Sequence, residues 1–90
     1  MSQLVRIIHV APDFQKIFRR LPRHIQKLAV KKDIVFRENA FTPALHTHKL
    51  KGHLTGYHSY SINHKYRILF RFITNDEVIY YDIGTHEIYK

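Results

Sequence analysis

Three β-rich segments, Tyr57 to Ile62, Lys65 to Phe72 and Glu77 to Ile83, follow one another with almost no chain between them. Only Asn63-His64 separates the first two, and Asn75-Asp76 marks the turn before the third. A parallel crossover needs a dozen or more residues, so the three strands form an antiparallel meander. Read as a two-residue hairpin turn, Asn63-His64 pairs Ile62 with Lys65, Tyr60 with Arg67 and His58 with Leu69. Alternation along each strand then predicts two faces. One carries Ser59, Ser61, Tyr66, Ile68, Phe70 and Phe72 and is expected to pack on helices. The other carries His58, Tyr60, Lys65, Arg67 and Arg71, with no sequence left to cover it. Clustered cations beside an imidazole and a phenol suit phosphate contacts and base stacking; a plain polar outer face is the alternative.

The first half supplies the helices. Leu4 to Val10 is short and β-rich, and Ala11-Pro12-Asp13 ends it in a helix start, with Pro12 near the first helical position and Asp13 at the positive end of the dipole. Phe14, Ile17, Phe18 and Leu21 fall at i, i+3, i+4 and i+7, the stripe of a core-facing helix. Pro22 breaks that helix and opens a second, with Ile25, Leu28, Ala29, Val35 and Phe36 inward and Arg23, Lys27 and Lys31 in an outer basic row. Asn39 to Pro43 ends it, and residues 44 to 56 read as an ordered loop punctuated by Gly52 and Gly56. The expected class is α+β. One small domain over residues 1–90 runs β-α-α-β-β-β, its two N-terminal helices packed on an antiparallel sheet.

The chain has 15 Lys and Arg against 7 Asp and Glu, a formal charge of +8. That field draws phosphate backbones and acidic proteins. The absence of cysteine excludes disulfides, thiolate catalysis and cysteine-ligated zinc, and it suits a reducing, cytoplasmic setting. No stretch has the length of a membrane span, and no signal-peptide core precedes Asp13, so no membrane partner is expected.

Six of the eight histidines, His46, His48, His53, His58, His64 and His86, lie in the second half. His46-Thr47-His48 has the residue type of a metal site, but no carboxylate sits nearby in sequence, so neither metal nor cofactor is expected. Proton transfer near neutrality is the better use of imidazoles. His86 follows Gly84-Thr85 directly after the last strand, where a strand end carries a side chain to the rim of a sheet. It is the best single catalytic candidate. His24 and His64 read as surface groups.

Taken together, HKLKG (His48 to Gly52), GYHSYSI, YRILFRF and DIGTHEIY resemble the RelE/ParE superfamily of toxins from toxin–antitoxin systems, over nearly the whole chain. Leu50 to Gly52, Tyr66-Arg67 and Gly84-Thr85-His86 carry the match. The resemblance implies the βααβββ order and, for members that cut mRNA in the ribosomal A site, a metal-independent endoribonuclease. On that pattern His86 is the general acid or base, Arg67 clamps the scissile phosphate and His48 assists. Tyr66 and Tyr89 are the candidates to stack or position a base. Lys49, Lys51, His58, Tyr60, Lys65 and Arg71 complete the expected RNA surface. The chain departs from YafQ-like members at Lys65 and Ser61, where they carry an acidic residue and a histidine, and from RelE-like members at His58 and Tyr60, where they carry lysines. It is similar to HigB-like toxins in the HKLKG and SIN segments. The implied partners are mRNA, the ribosome and an acidic cognate antitoxin. Two other uses of the fold remain open: a ParE-like toxin that binds DNA gyrase without catalysis, and a catalytically silent RNA-binding module.

Overall fold

Pro12 and Pro22 punctuate the helical half as the spacing predicts. Residues 3–89 are described by a computed structural model, and the side chains of His86 and Glu87 lie outside that description. Strand β1 (Ile7–Val10) leads into helix α1 (Pro12–Arg20), with Ala11 at the N-cap, Pro12 in the first turn, Asp13 beside it and Arg19 and Arg20 in the last turn. Acid at the start and base at the end both complement the helix dipole. Helix α2 (Arg23–Glu38) begins one turn later. Gln26 of α2 donates through Nε2 to the carbonyls of Leu21 at 2.9 Å and Arg19 at 3.2 Å, so the second helix satisfies acceptors that the end of the first leaves open.

The remaining strands are β2 (His48–Lys49), β3 (His58–Ser61), β4 (Arg67–Phe72) and β5 (Glu77–Gly84). They form one sheet in the order β1-β5-β4-β3-β2. The meander β3-β4-β5 is antiparallel, as its short connections require. The sheet as a whole is mixed, because β1 lies parallel to β5, Ile7 against Glu77 through Val10 against Tyr80. Strand β2, inside the segment expected to be loop, pairs His48 with Ser59 and Lys49 with His58. Two residues are too few to carry an alternating pattern, so nothing in the sequence marks it as a strand.

The β3-β4 register differs from the expected one by a single residue. Ser61 pairs with Arg67, Tyr60 with Ile68, Ser59 with Leu69 and His58 with Phe70. The cause is local. The Asn63 side-chain carbonyl accepts from the backbone N–H of Lys65 at 2.9 Å and of Tyr66 at 2.7 Å, while Ile62 N–H reaches the Tyr66 carbonyl at 2.9 Å. Asn63, His64 and Lys65 thus form a three-residue loop in place of a two-residue turn. A slip of one residue exchanges the faces of a strand, and β3 is the strand exchanged. His58 and Tyr60 face the helices, while Ser59 and Ser61 share the outer face with Arg67 and Arg71.

Phe36 of α2 anchors the core, stacked on Tyr60 at 4.6 Å, edge-on to Phe70 at 4.8 Å and tilted to Tyr80 at 5.8 Å. Around it Val5, Phe14, Ala29, Ala40, Leu45, Ile62, Ile68, Val78 and Ile83 are buried. A bulge at Leu69/Phe70 sets Leu69 opposite Asp82 and Phe70 opposite Tyr80, leaving Tyr81 as the extra residue. Strict alternation cannot turn both Tyr80 and Ile83 inward; the bulge does. A polar chain crosses this core. Tyr80 donates to Asp33 Oδ1 at 2.7 Å, so Tyr60 is the donor in its 2.9 Å bond to Tyr80, and Arg37 Nε donates to Asp33 Oδ2 at 2.9 Å. Among the described residues no helix is long and apolar enough to cross a membrane.

Candidate functional site

The loop expected between helices and meander is what builds one wall of the site. Pro43–Leu45 form a 3₁₀ turn, and His46 follows it in the left-handed conformation, φ 51°. This reversal brings His46 and His48 to the mouth of a cleft of about 550 Å³ lined also by Lys32 of α2, Ser61, Asn63, His64 and Arg67. His48 Nδ1 lies 2.8 Å from the His46 carbonyl oxygen. A carbonyl only accepts, so Nδ1 carries a proton, and of the two neutral tautomers the bond selects the one whose acceptor is Nε2. That is the tautomer of a proton acceptor at the cleft.

Arg67, half-buried on β4, donates through Nη1 to Ser61 Oγ at 2.9 Å across the β3-β4 pair. It forms no ion pair among the described residues, where only His9–Glu77 and Arg37–Asp33 do. Its guanidinium is held by a neutral hydroxyl and keeps its charge for an anion, with donors that fit phosphate in a fork. Lys32 adds a second cation from the helix layer.

Arg67 pairs with Gly84, and the chain turns immediately beyond. His86 lies two residues on, the first of a 3₁₀ turn His86–Tyr89. The backbone therefore brings His86 to the end of β5 beside Arg67, while its side chain lies outside the described residues. The turn folds back over the outer face. A Cβ on Gly84 would meet Ile88 Cγ2 at 2.9 Å, Tyr89 Oη donates to Ser59 Oγ at 2.8 Å, and a ring nitrogen of His53 meets the Tyr89 carbonyl at 3.1 Å. The outer face is therefore partly covered, by the C-terminal turn that the sequence reading left unassigned.

The other expected RNA contacts divide. Lys49 and Lys51 are exposed on the strand and loop beyond His48, Lys65 is exposed in the three-residue loop, and Arg71 is exposed on β4. Tyr66 is half-buried and packs against the core, and Tyr89 is bonded to the sheet. Two expectations are corrected by the register. Tyr60 is fully buried against Phe36, with its hydroxyl bonded to Tyr80, so it presents no ring to a base. His58 is half-buried among Phe41, Phe70 and Phe72, at ring distances of 6.3, 5.5 and 5.1 Å, and its buried Nδ1 has no partner among the described residues. Burial, then the nearby Lys49 and His48, push its pKa down, which favours the neutral ring and not a phosphate ligand.

Lys32, His46 and His64 line the cleft although sequence reasoning did not place them there. Lys32 follows Leu28 by one helical turn, which puts it beside the core stripe and apart from the outer row; that spacing is the signal available for it. His46 and His48 are not joined by further acidic or histidine side chains into a metal-sized group among the described residues.

No protein-family profile and no curated protein sequence matches the chain. Solved structures do. The toxin–antitoxin complex RelBE from Mycobacterium tuberculosis is similar at a TM-score of 0.77 and 15% identity, over 94% of this chain and 95% of the other. The YoeB–YefM complex from Staphylococcus aureus is similar at 0.68 and 25% identity, over 91% and 99%. YafQ from E. coli is similar at 0.68 and 15%, over 93% and 97%. The βααβββ core with a parallel first strand is thus the fold of RelE/ParE-type toxins, as the sequence motifs imply.

Proposed function

We propose that the protein is the toxin of a toxin–antitoxin pair and that residues 1–90 act as one toxin domain. In this reading it is a ribosome-dependent endoribonuclease that cuts mRNA by metal-independent acid/base catalysis in the cytoplasm. The observation that supports the reading is that Arg67, bonded to Ser61 and without an ion pair among the described residues, and His48, its Nδ1 bonded to a backbone carbonyl, line one cleft, with the backbone of His86 just beyond the residue that pairs with Arg67. The fold shared with RelBE, YoeB and YafQ supports it.

The chemistry needs a proton acceptor, a proton donor and a cation. His48 Nε2 takes the proton of the 2′-hydroxyl as that oxygen bonds to phosphorus. The bond from phosphorus to the 5′-oxygen breaks, and His86 returns a proton to the leaving oxygen. Arg67, with Lys32 behind it, stabilises the charge that gathers on the non-bridging oxygens. The products are a 2′,3′-cyclic phosphate and a 5′-hydroxyl. Lys49, Lys51 and Lys65 hold the flanking phosphates and set the salt dependence. An acidic antitoxin segment, drawn by the +8 charge, silences the toxin by covering Arg67 or His86.

The test is 5′-end mapping of cellular mRNA after brief induction of the wild type and of His86→Ala. Cuts within translated frames that vanish in the variant are expected. Growth arrest without cuts in either strain would overturn the nuclease reading and favour a gyrase-binding toxin.

A further inference from the structure

Beyond the cleft, the outer face of the sheet carries a second group of side chains that the cleavage chemistry does not use. Tyr57, just before β3, meets Tyr81, the bulged residue of β5, edge to face, with ring centroids 5.2 Å apart and planes at 70°. Tyr81 also lines a shallow hollow of about 270 Å³ with Arg71, Phe72, Ile73 and Ile79. Arg71 is exposed and forms no ion pair among the described residues. The neighbouring carboxylate on β5, Glu77, is engaged at 2.5 Å by His9. The hollow itself is lined by one guanidinium, an aromatic wall and no carboxylate, in a chain of formal charge +8.

Arg67 and Arg71 lie on the same strand face four residues apart, a separation of roughly 13 Å at the rise of a β-strand. The C-terminal turn crosses the sheet between them at Ser59, so the outer face is divided into the cleft and this hollow. A strand of unstacked nucleotides entering the cleft can continue over the turn to the second group.

We propose that Tyr57, Tyr81 and Arg71 form a second subsite for single-stranded RNA, which takes an unpaired base against Tyr81 and its phosphate on Arg71, a few nucleotides from the bond that is cut. The inference rests on the nuclease reading for the first subsite. A half-buried tyrosine whose ring is braced by a second ring and whose open side lines a hollow is a stacking platform that accepts any base, and a neighbouring exposed arginine supplies the charge that single strands need. The bulge is what makes the platform, because it turns Tyr81 outward beside Tyr57 while Tyr80 and Ile83 stay in the core.

The experiment compares binding of two labelled 2′-O-methyl uridine oligonucleotides, which resist cleavage, by fluorescence anisotropy at fixed salt. A trinucleotide fills the cleft alone and a decanucleotide reaches both groups. The wild type is expected to bind the longer strand more tightly. Tyr81→Ala is expected to weaken the longer strand on the order of tenfold and leave the shorter unchanged, with Tyr81→Phe retaining both. Arg71→Ala, a substitution at an exposed side chain, is expected to weaken the longer strand and flatten its salt dependence without disturbing the fold. Equal losses on both strands, or none on either, would overturn the subsite. So would an acidic peptide that competes with the longer strand only when Tyr81 and Arg71 are intact, which would assign the hollow to a protein partner. Mapping of mRNA cuts in the same variants separates this result from the first reading, because the platform's failure leaves the dependence of cleavage on His86 untouched.

Discussion

The Tyr89 hydroxyl donates to Ser59 Oγ at 2.8 Å, tying the C-terminal turn to a fully buried hydroxyl in the middle of the sheet. Whatever His86 does, it does from a turn held at its far end by this bond and at its near end by Gly84 against Ile88.

Tyr89→Phe removes the donor and leaves the ring. We expect a stability loss of about 1 kcal/mol by urea denaturation, and a fall in cleavage larger than that loss explains, because the turn that carries His86 is released. Gly84→Ala acts at the other end, where the new methyl must displace Ile88. An unchanged cleavage rate in both variants would show that the turn needs no clamp.

If His48 is the proton acceptor, as proposed, His48→Ala is expected to lower the cleavage rate by about 10²-fold or more, within the usual range for a general base. Arg67→Lys keeps the charge but loses the fork that Ser61 orients. Its loss is expected to approach the ~10²-fold cost of removing one donor to a developing oxyanion. Single-turnover rates on programmed ribosomes, with binding measured separately, check both.

Asp33 accepts from Tyr80 and from Arg37. Asp33→Ala therefore strands a buried phenol and is expected to cost roughly 1–3 kcal/mol, whereas Tyr60→Phe removes only the terminal donor of the chain and costs about 1 kcal/mol. Denaturant midpoints of the two variants rank them, and the reverse order would contradict the donor direction assigned here.

Burial, then the charges of Lys49 and His48, lower the pKa of His58 in the folded protein below its ordinary 6.5. The unfolded chain then takes up the proton first as pH falls, so the contribution of the neutral ring is complete above about 6.5 and is lost as pH drops through the lowered value. Tyr60 and Tyr80 are displaced upward, chiefly by burial, so their contribution is complete below about 10 and is lost as pH rises beyond it. Stability is expected to fall on both sides of neutrality. His58→Phe should flatten the acid limb in thermal melts between about pH 5 and 7, and a limb unchanged by the substitution would exclude His58 as its source.

How much of this was legible in the sequence depends on the range of the interaction concerned. The proline-bounded helices and the tight meander follow from local spacing, and the structure agrees with them. The faces of β4 were legible for the same reason. The faces of β3 were not, because one side chain, Asn63, changes the loop from two residues to three and carries Tyr60 and His58 inward. Strand β2 is too short to show a period. Lys32 and His46 reach the cleft through tertiary packing and a left-handed residue, neither of which a pattern of hydrophobic residues encodes. Arg67 and His48 are candidates from motif resemblance, and the geometry adds that both line one cleft and what each is bonded to.

The parallel pairing of β1 with β5 also orders events in time. Ile7 meets Glu77, and β5 sits between β1 and β4, so the last of the five strands to be synthesised is the one that completes the sheet. Pairings of such sequence separation form late and slowly, since the loop between them must be closed before they contribute. While β5 is still unmade, Arg67 has no Gly84 beside it, Tyr60 has no Tyr80 to bond, and the turn that bears His86 does not exist. A nascent chain therefore holds no assembled cleft. The side chains gathered at that end of the sheet therefore come together in the same step that closes the sheet.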